Sequence, residues 1–579
     1  MRSQGSRSPS HPASPVRSLT GAACLALLAA GSHAAPLGAQ MELLPAGAEK
    51  AARSITADSL RAPIRYLADD LLGGRGPATE GDRLTQLYLS TQLESLGLQP
   101  AFDGGWLQPF DVVGIEAKVP KTWTFQAGGE TLALKTWDEL IAGSGVQRDS
   151  ATIDSAEVVF VGYGIQAPEY DWDDFEGADL RGKVLLMLNN DPDWDPELFG
   201  GETRLYYGRW TYKYESAARQ GASGAIIIHT TPSAGYPWQV VQTSWTGEQF
   251  QLPAEGEPRI EVAAWATEEA TRKLLGAAGF DLDDLTERAK HRDFRPVPLG
   301  ITTSITLENT IGKKTTANVG GVLPGSDPEL GRETVLFIAH HDHLGTAEEG
   351  DDRVYNGAVD NASGTAQVLA IAGAYARLPE APKRSTLFLF VAVEESGLLG
   401  SKYYARHPST PPGRIAAAIN YDGGNIWGKA KDVTLVGHGK SSLDAVAEAV
   451  AASQGRVVKP DQFADKGYYY RSDQFSLAKI GVPALYFDTG TEFVGRPEEW
   501  GKEQLEAWTE RDYHQPSDEL EDWWSFEGMV EDAVLGFYCG LILAEAAEMP
   551  AWVPGDEFEA ARSEALAAVA AGGGGESGE

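Results

Sequence analysis

TVLFIAHHDH, residues 334–343, is an apolar, β-branched run that breaks off into four polar side chains able to bind metal. Two further runs repeat the pattern. STLFLFVAVEE (385–395) ends in Glu394-Glu395, and AAAINYD (416–422) ends in Tyr421-Asp422. Between the first two, YNGAVDNASG (355–364) places Asp360 at the mouth of an apolar helix, TAQVLAIAGAYA (365–376). Short, continuously apolar strands alternating with a helix are the mark of a sheet buried on both faces. The predicted fold class is therefore α/β, a mixed and mostly parallel sheet flanked by helices. In such sheets the ligand crevice lies off the carboxyl ends of the strands, where these polar residues fall.

A chain of 579 residues, 42% hydrophobic, is long enough for two or three domains. The formal charge is −35, and residues 1–40 carry Arg2, Arg7 and Arg17 with no acid, so the remainder is more acidic still. Such a surface repels phosphate backbones and anionic lipid, which excludes nucleic-acid and membrane-surface partners from the expectation. The basic lead followed by LTGAACLALLAAG (19–31) and small residues has the outline of a secretory signal, assigned to residues 1–39, so an exported protein, periplasmic or extracellular, is expected. That run is too short to span a bilayer, and no later run reaches about 18 apolar residues. After cleavage only Cys539 remains, which rules out an intramolecular disulfide.

Residues 40–150 open with two amphipathic helices around the turn Gly73-Gly74-Arg75-Gly76-Pro77, and strands follow at 106–117 and 121–127. From 151 to 300 the texture changes to a smaller α/β module: AEVVFVGYGI, GKVLLMLNND, SGAIIIHT and RIEVAAWA as strands, YESAARQGA as a helix. Gly162 and Gly164 imitate a dinucleotide fingerprint, but the acidic, aromatic PEYDWDDFEG follows where a helix is required. The aromatic series Trp172, Trp194, Tyr206, Tyr207, Trp210, Tyr212 and Tyr214 reads first as loop packing and second as a substrate entrance. The main pattern resumes over 301–552. The stretch 553–579, with ALAAVAA and GGGGESGE, reads as a low-complexity, partly disordered tail.

Two zinc ions roughly 3.5–4 Å apart require a bridging carboxylate, further N or O ligands on each side, and room for a shared water. The supply here is His340, Asp360, Glu395, Asp422 and His514, three protein contacts per metal if one carboxylate is shared. No cysteine is among them, as suits an open catalytic site rather than a closed structural one. Asp342, two residues beyond His340 on an extended segment, can accept the other imidazole N–H. Adjacent Glu394 and Glu395 cannot share a face, so one can bind metal while the other addresses a water whose pKa the metal lowers towards ~7. Taken singly each residue has a plainer reading as a core or surface group. The coincidence at three strand ends and one helix mouth outweighs it. His341 and His343 have no required role and are expected to support the site or face solvent.

His340-x-Asp342, Asp360-Asn361-Ala362-Ser363-Gly364, Glu394-Glu395, Asn420-Tyr421-Asp422 and Tyr513-His514 resemble the motif series of the co-catalytic two-zinc exopeptidases, the family of bacterial leucyl aminopeptidases and glutamate carboxypeptidase. GRGPATEG (74–81) resembles the start of the same catalytic domain, and the 151–300 module is similar to an inserted protease-associated domain. The resemblance implies that Asp360 bridges two Zn2+, that His340 and Asp422 complete one and Glu395 and His514 the other, that Glu394 is the general base, and that Asp342 supports His340. Arg471-Ser472-Asp473 matches the family's Ser-Asp-His segment except that Gln474 stands where histidine is usual. The implied activity is an exported aminopeptidase that hydrolyses N-terminal peptide bonds of a peptide substrate with a metal-bridged hydroxide. The alternatives are a carboxypeptidase for acidic C-termini, which needs convergent arginines such as Arg471, Arg353 or Arg209, a single-zinc glutaminyl cyclase, and a metal-free, receptor-like ectodomain. No G-x-S-x-G elbow supports serine chemistry.

Overall fold

The computed structural model describes residues 44–196 and 198–572. The expected signal segment, 1–39, and the glycine-rich tip, 573–579, lie outside the described residues.

The strand Thr334–His340 lies between Ser385–Val391 and Ile415–Tyr421, parallel to both. Ile415–Tyr421 continues in parallel to Ala484–Asp488, whose other neighbour, Asp432–Val436, is antiparallel. On the far side, the end of the 27-residue strand Val297–Leu323 pairs antiparallel with Ser385–Val391. All seven residues of each of the three central strands are buried. Their side chains alternate between faces as period-2 geometry demands: Val335, Phe337 and Ala339 join one core, Leu336 and Ile338 another. Against the first face pack the helices Ala57–Leu67, Gly364–Tyr375 and Glu527–Glu545; Tyr404 and Leu477 close the second. Every residue of Gly364–Tyr375 is buried, which explains a helix with hardly a polar side chain.

The two N-terminal helices begin where their caps stand. Thr56 accepts from Ser59 N ahead of Ala57–Leu67, and Thr79 accepts from Asp82 N ahead of Glu80–Ser95. Gly97 (φ 79°) ends the second in the left-handed region that favours glycine.

A second body of core joins Trp123, Phe125 and Leu134 to Val158, Phe160, Leu186, Ile226 and Ala264. The parallel strands Ser150–Phe160, Val184–Leu188, Gly224–His229 and Val262–Thr267 form its sheet. Val297–Leu323 runs from this sheet into the central one, pairing with Ser150–Phe160 early and Ser385–Val391 late. Gly162 and Gly164 lead into a turn, a short strand at Gln166–Ala167 and a single 3-10 turn at Pro168–Tyr170, where the fingerprint requires an α-helix. ALAAVAA departs from the low-complexity expectation: it lies in the helix Glu559–Gly572, which packs on Gly413. Its alanines favour helix, and contact with the body supplies what an isolated short helix lacks. Among the described residues, no helix is long and apolar enough to cross a membrane.

Candidate metal centre

Three adjacent parallel strands release His340, Glu394-Glu395 and Asp422 at the same sheet edge. His340 Nε2 lies 3.1 Å from Asp422 Oδ1 and 3.3 Å from Asp360 Oδ1. His514 Nε2 lies 3.2 Å from Asp360 Oδ2 and 3.0 Å from Glu395 Oε2. The two oxygens of Asp360 thus face different histidines, the posture of a carboxylate shared between two ions. Glu394 Oε2 is 4.0 Å from His340 Nε2, and Glu394 lines the cavity beside Asp360, Glu395 and Asp422. His340, Asp360 and Glu395 form one group of mutually close donor atoms, and His340, Glu394 and Asp422 form another.

Local structure fixes these positions. Asp518 accepts from the backbone N–H groups of Val359 and Asp360 at 2.9 and 3.0 Å. Asn361 donates to Tyr421 O at 2.9 Å and accepts from Gly423 N at 2.9 Å, which ties the Asp360 loop to the strand end bearing Asp422. The peptide between Asp360 and Asn361 is cis. Arg75, 1% exposed, donates to His341 O (2.8 Å), Asn356 O (2.5 Å), Gly357 O (2.9 Å) and Leu67 O (2.6 Å), so one guanidinium spans the loops after His340 and before Asp360. Four bonds to carbonyls offset the burial that lowers its pKa to about 10.

Asp342 departs from its expected contact. Its carboxylate is 3.8 Å from His340 Nδ1, too far for a hydrogen bond, and the imidazole meets the backbone oxygen of Asp342 at 3.2 Å instead. The chain leaves the strand at this point, so the same-face rule for an extended segment no longer applies. The carboxylate turns to the neighbouring strand and accepts from Glu394 N (3.0 Å) and Glu395 N (3.4 Å). His341 and His343 are both buried rather than solvent-facing: His343 Nδ1 sits 2.6 Å from Glu395 Oε1, and His341 Nε2 3.1 Å from Asp82 Oδ1. Gln474 is buried, accepts from Asn420 Nδ2 at 2.9 Å and donates to Tyr469 O at 2.7 Å, holding the strand end that bears Asp422.

Asp360, Glu394, Glu395 and Asp422 crowd together, and among the described residues none forms an ion pair with lysine or arginine. Their ion-pair partners are the histidines His340, His343 and His514. Burial disfavours a charged imidazole at His514, but the Glu395 and Asp360 carboxylates outweigh it and hold the pKa up at about 10. Burial likewise works against His340, and the charges of Glu394 and Asp422 raise its pKa well above the usual range. Burial, reinforced by Glu395 and Asp422 against the opposing His340, pushes Glu394 well up. Excess buried negative charge, borderline N and O donors and no thiolate make a set that divalent cations such as zinc fit.

A cavity of about 470 Å3 opens on Glu394, Glu395 and Asp422 and extends between Trp427, Tyr468, Tyr486 and Trp508. Asp461 and Asp488 line it, and burial raises them to about 6 and about 7. Arg471 also lines it, its guanidinium against the rings of Tyr236, Tyr468 and Tyr513. Arg209, whose pKa burial and then the Arg471 charge lower to about 10, is near enough to sense Glu394. Arg353 is exposed, and its guanidinium donates to Glu348 O. The module's share of the wall is Thr231, Gly235, Tyr236 and Pro237. The aromatic series from Trp172 to Tyr214 packs among its own members and against Phe199, Trp245, Tyr470 and Phe475 instead.

Sequence reading missed Ser244, Asp518 and the grip of Arg75. Asp518 had a signal, an acid four residues beyond His514. Arg75 stood in a noted turn, whereas Ser244 carried no mark at all.

Known proteins resemble parts of this chain. Leupeptin-inactivating enzyme 1 of Streptomyces exfoliatus is 27% identical over 225 residues, 38% of this chain and 47% of that protein. The vacuolar membrane protease of Yarrowia lipolytica is 32% identical over 128 residues, 22% of this chain and 12% of that one. The chain therefore spans less than half the length of these curated relatives. Among solved structures, the aminopeptidase from Aneurinibacillus sp. strain AM-1 shares the fold, with TM-score 0.50 and 20% identity over 85% of this chain and 95% of that one. Residues 318–536, which hold every candidate ligand, match Peptidase family M28.

Proposed function

We propose that the chain is an exported zinc metallopeptidase that removes N-terminal residues from peptides. The observation that carries this reading is the division of Asp360 between His340 and His514 within a cluster of four carboxylates that, among the described residues, forms no ion pair with lysine or arginine. His340 and Asp422 would hold one Zn2+, Glu395 and His514 the other, with Asp360 between them. When bound, the pair supplies Lewis-acid activation of a water and of the scissile carbonyl. Glu394 takes the water's proton at its carboxylate and delivers it to the leaving amine, a role its place on the cavity wall suits. Asp342 acts through the backbone, its two accepted N–H bonds aiming Glu394 and Glu395. Trp427, Tyr468, Tyr486 and Trp508 limit water around the substrate's side chain. The aminopeptidase of Aneurinibacillus, with the same fold, supports the choice of substrate end. The basic lead and LTGAACLALLAAG support export, and the four parallel strands between 150 and 267 support a protease-associated-like insert.

A second reading, cleavage at a free carboxyl terminus, is favoured by Arg471 on the cavity wall and Arg209 close to it. Rates on a dipeptide and its N-acetyl form decide between them. An aminopeptidase rejects the blocked substrate, and equal turnover of both would overturn the first reading.

A further inference from the structure

His514 is a candidate ligand from the segment that matches Peptidase family M28, yet its ring is held from the insert. Ser244 Oγ lies 2.7 Å from His514 Nδ1, across 270 residues of chain. Ser244 closes the short helix Trp238–Ser244, and the next residue, Trp245, packs against Trp210, Tyr214 and the fully buried Trp265 of the insert's core. The same helix reaches the segment ahead of His514 a second time, where Gln239 Nε2 donates to Glu510 O at 2.6 Å. Tyr513 packs on that core too, and its ring centroid is 3.9 Å from that of His514. The residue itself has φ 58°, a left-handed backbone that few non-glycine residues adopt.

We propose that the insert completes one half of the metal centre, with Ser244 as the positioning residue that aims His514 Nε2 at Asp360 and Glu395. This rests on the metallopeptidase reading. An imidazole ligates through a lone pair, so with Nε2 facing the ion the proton must reside on Nδ1, and that N–H donates to the Ser244 hydroxyl. An outer partner of this kind fixes tautomer and ring orientation together. Most metal-binding histidines find it in the protein that surrounds the site. Here it comes from a separate core, so the seating of the insert sets the affinity of the Glu395/His514 site, while the His340/Asp422 site has no such dependence.

The test is zinc titration of the full chain against a competing chromophoric chelator, for wild type, Ser244→Ala and Ser244→Thr. Ser244→Ala is expected to weaken one of two zinc sites about 10- to 100-fold and leave the other unchanged. Ser244→Thr, which keeps the hydroxyl, restores the weakened site. Two sites of wild-type affinity in Ser244→Ala would overturn the proposal. Should Ser244→Ala fail to fold, the tautomer of His514 in the zinc-loaded wild type, read by 15N NMR, decides: a proton on Nδ1 supports the assignment and one on Nε2 overturns it. Wild type that binds no zinc would overturn the metallopeptidase reading along with this one, a result distinct from an alanine variant that matches wild type.

Discussion

Glu394→Gln separates a proton-transferring group from a metal ligand, because the two roles predict opposite outcomes from one isosteric change. Glu394 sits on the cavity wall, 9% exposed, with Oε2 4.0 Å from His340 Nε2, whereas Asp422 and Asp360 approach that nitrogen to 3.1 and 3.3 Å. The amide keeps the shape and the bulk but cannot accept a proton. General-base catalysis contributes roughly 100- to 10,000-fold, so kcat should fall by that factor, roughly 2.7–5.5 kcal/mol in barrier. Metal affinity should hold, since both ion positions keep their donors. The variant would be assayed for aminoacyl-substrate hydrolysis, and its zinc content measured after dialysis against a fixed free zinc concentration. Near wild-type turnover would refute the proton-transfer role. Loss of one zinc together with activity would show that Glu394 is a ligand, consistent with its closeness to both His340 and Asp422.

Zinc binding at neutral pH should release protons, because the metal-free protein holds His514 at a pKa of about 10 and His340 well above its usual value. Calorimetry in buffers of different ionisation enthalpy should detect about two protons released; no buffer dependence would contradict the assignment. The sign for stability follows. A histidine whose folded pKa is raised above the unfolded value, near 6.5, stabilises the metal-free protein fully below pH 6.5 and loses that contribution as pH rises towards 10, so the gain in melting temperature on adding zinc should widen from pH 6.5 upward. Arg75→Ala takes the guanidinium from four buried carbonyls, of which Gly357 O keeps the Ala362 N–H, and at roughly 1 kcal/mol or more for each of the others denaturant unfolding should show a loss of several kcal/mol. An unchanged midpoint would refute it. The cavity carries Asp461 and Asp488 without a lysine or arginine ion pair among the described residues, so peptides headed by glutamate should be cleaved at least about 10-fold more slowly than those headed by leucine. Equal rates would show that these carboxylates do not meet the first side chain.

The central sheet was legible because three short apolar runs each had to be buried on both faces, which leaves their polar ends for the strand termini. His340, Glu394, Glu395 and Asp422 followed from that logic alone. His514 did not, since it follows a helix rather than a strand, and the family resemblance supplied its role. Asp342 was misdirected because extended-strand geometry was applied one residue past the strand's end. Ser244 and Arg75 act on the centre through contacts spanning hundreds of residues, and no local periodicity encodes such contacts. The alanine-rich C-terminal helix was missed because composition alone does not distinguish a low-complexity tail from a helix with a partner.

Crystals of the full chain grown with zinc, with diffraction recorded on either side of the zinc absorption edge, test the metal centre most directly. The account predicts two anomalous peaks roughly 3.5–4 Å apart, one between His340 and Asp422, the other between Glu395 and His514, with Asp360 reaching both. A single peak, or peaks remote from Asp360, would contradict it.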